Sequence, residues 1–75
     1  MAKTSSFSRL TFGRAIRGRR ESLKLSQEDF AERANVHRTY ISSVELGKVS
    51  VGIEIAGALA SALGMKLSEL VRRAE

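Results

Sequence analysis

The sequence has no cysteine and only one histidine among its 75 residues. Without cysteine there is neither a disulfide framework nor a cysteine zinc site, which suits a reducing compartment. The single histidine, His37, has no partner ligands and is more consistent with a helix cap or a neighbour of a phosphate. Because no acidic cluster has the spacing of a calcium loop either, we predict no metal and no cofactor.

Aromatic residues and long apolar runs are also scarce. The chain has three phenylalanines and one tyrosine, too few exposed rings for the base stacking that single-stranded RNA recognition needs. The longest weakly polar run, residues 55–65, is too short to span a bilayer, and the N-terminus lacks the apolar run of a signal peptide. We therefore predict a cytoplasmic protein that does not contact a membrane.

The side chains of an enzyme are missing as well. Residues 37–45 contain the only serine, histidine and acid grouping that could suggest a catalytic relay, and residues so close within one short motif cannot surround a substrate. Residues 47–52 hold two glycines, but no Gly-Lys-Ser/Thr follows them as in a phosphate-binding loop. We predict that the protein is not an enzyme and takes no small-molecule ligand.

Negative charge is absent from the first part of the chain. The first 20 residues contain six Lys or Arg and no acid, and the whole chain carries a net charge of +5. A basic surface is typical of proteins that bind a polyanion, usually nucleic acid and sometimes an anionic membrane. A soluble basic protein without such a partner is the alternative that charge alone leaves open.

Residues 26–47 contain the most informative pattern, two short helices joined by a turn. Ser26 and Asp29 have capping-box spacing, so a helix should start near residue 27 and end near Ala34. Asn35 tolerates the left-handed conformation that stops a helix abruptly. A second helix should follow over residues 38–46, with Gly47 as its left-handed end.

This pair of helices predicts a helix-turn-helix unit. Ala31 is small where the two helices must approach closely, and Ile41 and Val44 should point back into the angle between them. The outward face of the second helix is short and polar with one cation, which suits the edges of bases; it consists of Arg38, Thr39, Ser42 and Ser43, with Tyr40 at its edge.

The rest of the chain is predicted to support this unit. Residues 1–8 should form a flexible N-terminal arm, and residues 9–75 one helix-turn-helix domain. A first helix is expected over residues 9–22, from the helically spaced Leu10, Phe12, Ile16 and Leu23, with Leu23 and Leu25 then entering the core. A fourth helix over residues 53–63 and a fifth over residues 67–73 complete an all-α, five-helix domain.

The sequence resembles the lambda-repressor-like (Cro/XRE-type) helix-turn-helix family, and within it the small controller proteins of restriction-modification systems. The match covers residues 12–70. It rests on Phe12-Gly13, Ile16-Arg17, Arg20, Ser26-Gln27-Glu28, Arg38-Thr39-Tyr40-Ile41-Ser42, Glu45, Gly47, Ala60, Ala62-Leu63-Gly64 and Glu69-Leu70.

The resemblance implies specific roles for individual residues. Arg38, Thr39 and Ser43 would contact bases, whereas Gln27, Tyr40, Ser42 and Lys48 would bind backbone phosphates. An arginine at the position of Arg20 commonly pairs in the family with a glutamate at that of Glu45. Arg19 occupies a position where the family often has leucine, so it either faces solvent or lies across the core through its aliphatic stem.

A second apolar stripe on the fourth helix predicts a homodimer. One small core cannot cover two apolar faces, so the surplus face should pair with a second copy. The stripe consists of Ile55, Ala58 and Ala62, and Met65 and Leu67, around the start of the fifth helix, extend the predicted dimer interface.

Together these features predict a transcriptional regulator that binds double-stranded DNA as a homodimer on a two-fold related operator. It would be cytoplasmic and nucleoid-associated, of bacterial or phage origin. A restriction-modification controller is the leading version, followed by a phage-type repressor without its second domain. The alternative from another class is an antitoxin that autoregulates its promoter, although only Ala74 and Glu75 follow the predicted last helix.

Overall fold

The computed structural model describes residues 7–75, which form five α-helices and no strand. The helices are α1 (Arg9–Ser22), α2 (Gln27–Ala34), α3 (Arg38–Glu45), α4 (Ile53–Ala62) and α5 (Leu67–Arg73). The predicted all-α, five-helix fold is confirmed. The helices α3 and α4 each end one residue earlier than predicted, because Leu46 and Leu63 are their C-cap residues. None of the described helices is long and apolar enough to cross a membrane.

Capping boxes begin the first two helices. The Ser26 hydroxyl accepts a hydrogen bond from the Asp29 backbone N–H at 2.9 Å, and the Asp29 carboxylate accepts one from the Ser26 N–H at 3.5 Å. Ser8 and Thr11 form the same arrangement at the start of α1. Ser8 therefore caps a helix although the sequence placed it in the arm, and residues 1–6 of that predicted arm lie outside the described residues.

Left-handed residues follow α2 and α3 at the two predicted positions, Asn35 and Gly47, and Gly64 has the same conformation after α4. Asn35 has φ +59°, Gly47 has φ +72° and Gly64 has φ +70°. Gly47 also lies against α1, because a Cβ atom added to it would meet the Leu10 Cα at 3.0 Å. Glycine is thus required at residue 47 both by its backbone conformation and by this close approach.

One apolar core lies between the helices, and it contains Ala31, Ile41 and Val44, the residues predicted to lie between α2 and α3. Buried hydrophobic residues from every helix contribute, together with the C-cap residues of α4 and α5: Phe12, Ile16, Phe30, Ala31, Ala34, Ile41, Val44, Ala56, Leu59, Ala60, Leu63, Leu70 and Ala74. The short α2 and α3 hold their positions through this shared core, since isolated helices of that length are marginal in water.

Two leucines of the first helical region are more exposed than predicted. Leu10 is 46% exposed, because it lies two residues, about 200° of helix, from the buried Phe12. Leu23 is 37% exposed. It is the C-cap of α1, and the left-handed Lys24 that follows turns the chain so that Leu25 packs against the core instead.

Candidate nucleic-acid interface

The turn between α2 and α3 is stabilised by its backbone conformation and a backbone hydrogen bond. Asn35 adopts the left-handed conformation, and the Val36 N–H then donates to the Ala31 carbonyl at 3.0 Å. His37 is the N-cap of α3 in extended conformation, but its side chain makes no capping hydrogen bond. The first N–H groups of α3 are therefore not capped by a side chain, next to the residues predicted to contact DNA.

Helix α1 packs directly on the carboxyl end of α3. A Cβ atom added to Gly13 would lie 2.3 Å from the Val44 carbonyl oxygen and 2.8 Å from that of Glu45. Only glycine permits this approach without a shift of the backbone. On the same helix, Ile41 is fully buried and Val44 is 1% exposed, so the inner face of α3 is fixed and its opposite face points outward.

The predicted base-contacting residues on that outward face differ in their exposure to solvent. Arg38 and Thr39 are exposed, whereas Ser43 is half-buried. An arginine at the first position of an exposed helix can present two parallel N–H groups to the edge of guanine. Thr39 and Ser43 add short hydroxyls that can donate or accept.

The predicted phosphate-binding residues surround this face. Tyr40, Ser42 and Gln27 are half-buried, and Lys48 is exposed beyond the end of α3. A polar cleft of about 320 Å³ is lined by Ser26, Gln27, Glu28 and Arg38. It brings a predicted phosphate contact and a predicted base contact to one place, where the first N–H groups of α2 favour an anion.

The predicted pairing of Arg20 with Glu45 is confirmed, and Leu25 and Gln27 form further hydrogen bonds with the pair. The Arg20 Nε lies 2.6 Å from one Glu45 carboxylate oxygen, and the Arg20 Nη2 donates to the other at 3.1 Å. The remaining terminal nitrogen of Arg20 donates to the Leu25 carbonyl at 2.8 Å. The Gln27 side-chain amide also donates to Glu45, at 3.1 Å.

This ion pair is buried, with Arg20 9% and Glu45 7% exposed. The hydrogen bond to Glu45 raises the pKa of Arg20, outweighing the opposing effect of burial. Arg20 therefore remains charged and binds Glu45 through two hydrogen bonds. The pair joins α1 to the last residue of α3 and so fixes the orientation of the exposed face.

Arg19 neither faces solvent freely nor only lies across the core, the two alternatives that the sequence left open. It is half-buried, and its Nε donates to the Leu63 carbonyl at 3.1 Å. Since Leu63 is the C-cap of α4, this bond satisfies one of the carbonyls that a helix end leaves unpaired. The partner is 44 residues away, so no local sequence signal could have revealed it.

The predicted dimer residues form a partly exposed surface. Ile55 is 38% exposed and Ala58 is half-buried. Ala62, Met65 and Leu67 are half-buried because they pack partly against the chain's own core, so the core covers more of this face than predicted.

A separate apolar groove of about 370 Å³ lies beside this surface and shares Leu67 with it. Ile53, which lines the groove, is 77% exposed. A helical wheel places Ile53 near the buried Ala56 and Ala60. It is nevertheless exposed, because it is the first residue of α4 and extends past the core that those alanines enter.

Known proteins resemble this chain in sequence and in fold. A 40% identical segment of 63 residues is shared with control protein C.MunI of Mycoplasma sp, covering 83% of this chain and 85% of that protein. The immunity repressor of Bacillus phage phi105 is 34% identical over 62 residues, and the chain spans 43% of its length.

Among solved structures, the restriction-modification controller protein C.AhdI of Aeromonas hydrophila superimposes with a TM-score of 0.80 at 34% identity. The superposition covers 83% of this chain and 94% of that one. The sequence profile of the helix-turn-helix family matches residues 16–70, which include α2, the turn and α3. The resemblance predicted from the sequence is confirmed, and the chain belongs to the helix-turn-helix family.

Proposed function

We propose that this protein is a restriction-modification controller, a transcriptional regulator that binds a two-fold related DNA operator as a homodimer. The observation that carries the proposal is the outward face of α3, which is polar, carries Arg38 at its exposed start and is held rigidly by α1. Similarity over most of both chains to a control protein and to a controller of known structure supports this specific role.

Recognition of the operator is assigned to α3. Its amino-terminal end enters the major groove, where Arg38 makes a bidentate pair with guanine and Thr39 and Ser43 contact neighbouring base edges. These three contacts distinguish the operator from other sequences.

Affinity and register are assigned to a second set of residues. Gln27, Tyr40, Ser42 and Lys48 bind phosphates, which positions the protein without specifying a sequence. The net charge of +5 adds attraction to any DNA. Regulation then follows from occupancy of the operator in the cytoplasm, where a bacterial regulator meets its DNA.

Dimerisation is assigned to the outer surface of α4 and the start of α5. The partly exposed Ile55 lies there beside small residues, Ala58 and Ala62, that permit close approach of a second helix. A dimer places two copies of α3 on the same side of a duplex, so a two-fold related operator matches the symmetry of the protein.

A second candidate is a phage-type repressor. The 34% identity to the phage phi105 immunity repressor favours it, but the chain spans less than half of that protein. Its DNA-binding mechanism would be the same, and the two roles differ in the genes that they control.

A footprint of the purified protein on the DNA upstream of its own gene tests the proposal. We expect protection of two half-sites related by two-fold symmetry, one helical turn or a multiple apart. Transcription of the neighbouring genes measured with and without the protein separates the two candidates, since a controller regulates restriction and modification genes. Uniform protection without a preferred site would contradict sequence-specific binding.

A further inference from the structure

The amide of Gln27 is held by a buried charged group. Its side-chain nitrogen donates to the Glu45 carboxylate at 3.1 Å, and the same carboxylate oxygen accepts from Arg20 at 3.1 Å. Gln27 itself is half-buried at the start of α2 and lines the polar cleft described above. The three residues connect the beginning of α2, the end of α3 and the last turn of α1.

The Glu45 carboxylate determines the orientation of the Gln27 amide. An ionised carboxylate can only accept hydrogen bonds, so the Gln27 atom facing Glu45 must be the NH₂ group. One N–H of that group is used by Glu45, and the other stays available to a ligand in the cleft. A glutamine without this acceptor would sample several rotamers and would lose that freedom only when it bound DNA.

The negative charge of the Glu45 carboxylate explains why this acceptor is paired with Arg20. A lone carboxylate this close to a phosphate site would repel DNA, and burial would strengthen that repulsion. Arg20 pairs with both carboxylate oxygens and cancels the charge while leaving a lone pair for Gln27. The network can therefore orient a donor toward a polyanion without placing net negative charge beside it.

We propose that Glu45 is a positioning residue for DNA binding, which holds the Gln27 amide so that its second N–H meets a backbone phosphate, with Arg20 neutralising Glu45. This role goes beyond holding α1 to α3. It rests on the proposed function, because Gln27 must be a phosphate contact for its orientation to matter.

Operator duplexes with a single uncharged methylphosphonate at successive backbone positions provide the test. For the wild-type protein, replacing the phosphate opposite Gln27 should weaken binding about tenfold, the effect of losing one hydrogen bond to a charged group. Gln27→Met, a variant of similar size without hydrogen bonds, should be insensitive to that replacement. It should keep the normal response at the phosphate that Lys48 contacts.

The informative variant is the double substitution Arg20→Met with Glu45→Met. Replacing a buried ion pair by apolar residues of similar volume is often neutral for folding, whereas it removes the acceptor of Gln27. We expect it to lose sensitivity at the Gln27 phosphate alone. Full sensitivity there in the folded variant, or an equal loss at every phosphate, would overturn the positioning role.

Two further results distinguish a failure of the positioning role of Glu45 from a failure of the phosphate contact assigned to Gln27. If Gln27→Met responds like the wild type at every phosphate, Gln27 is not a phosphate contact and that part of the proposed function fails instead. If the double variant does not fold, hydrogen exchange in the wild-type protein still tests the proposal. In the DNA-free protein, one side-chain N–H of Gln27 should exchange with solvent more slowly than the other. Equal, fast exchange of both would contradict the proposal.

Discussion

Arg20 and Glu45 form a buried ion pair through two hydrogen bonds, with the shorter contact at 2.6 Å between the Arg20 Nε and a Glu45 carboxylate oxygen. The pair crosses between α1 and the last residue of α3. Removing one partner strands the other charge in the interior, which costs much more than the pair itself contributes.

Arg20→Ala should therefore lower the free energy of unfolding by about 3 kcal/mol or more, a large part of the roughly 4 to 11 kcal/mol expected for a domain of this size. Urea denaturation measures the loss. Arg17→Ala is the matched control, because Arg17 pairs with Glu21 at 3.1 Å on the surface with both side chains more than half exposed, and such pairs contribute about 0.5 kcal/mol or less. Equal losses in the two variants, or no coupling in a double-mutant cycle of Arg20 and Glu45, would contradict the structural account.

Two glycines of α1 should respond to alanine in opposite directions. Gly13→Ala brings a methyl group within 2.3 Å of the Val44 carbonyl oxygen, so we expect about 1 to 3 kcal/mol of destabilisation from overpacking. Gly18→Ala meets no atom within 4 Å and should stabilise the helix by about 1 kcal/mol. Thermal unfolding of both variants checks the pair. A stable Gly13→Ala protein would mean that α3 can move away from α1 without cost.

Dimerisation can be tested with charges on the two apolar surfaces. Ile55→Asp should shift the protein toward monomer in sedimentation experiments and weaken operator binding, because it places an unpaired charge in the proposed interface. Leu23→Asp is the control, since Leu23 is 37% exposed against 38% for Ile55 and lies outside that surface.

Ile53→Asp distinguishes the two surfaces. If it disrupts the dimer while Ile55→Asp does not, the apolar groove that Ile53 lines pairs the copies instead of the outer stripe of α4. A wild-type protein that sediments as a stable monomer at micromolar concentration would exclude both arrangements.

The parts of the structure that depend on local chemistry were predictable from the sequence. Helix starts followed from the capping box at Ser26 and Asp29, and helix ends followed from the left-handed Asn35 and Gly47. Each of these signals acts within a few residues, so a linear pattern contains it.

The misses have a common cause, which is that tertiary packing determines them. The bond from Arg19 to the Leu63 carbonyl spans 44 residues and the bond from Gln27 to Glu45 spans 18, and neither leaves a periodic trace. Ile53 is 77% exposed although its helical position lies near the buried Ala56 and Ala60, because it is the first residue of α4. The pairing of Arg20 with Glu45 was foreseen only through the family resemblance, which contains tertiary information.

The most direct test of the proposed function compares a residue predicted to contact bases with one predicted to contact phosphates. Arg38 is exposed at the first position of α3, and Lys48 is exposed beyond its end. A bidentate arginine to guanine contributes about 1 to 3 kcal/mol of discrimination, so Arg38→Ala should lose affinity for the operator much more than for random DNA. Lys48→Ala should weaken both by a similar factor, because a phosphate contact does not depend on sequence.

The salt dependence of binding makes this distinction quantitative. Each phosphate contact releases about one counterion, so Lys48→Ala should make the slope of log affinity against log salt shallower by about 1. Titrations of wild type and both variants on operator and scrambled duplex at several salt concentrations measure affinity, specificity ratio and slope together. An unchanged specificity ratio in Arg38→Ala would mean that α3 does not read bases through its first residue, and the protein would then be docked differently or bind DNA without sequence preference.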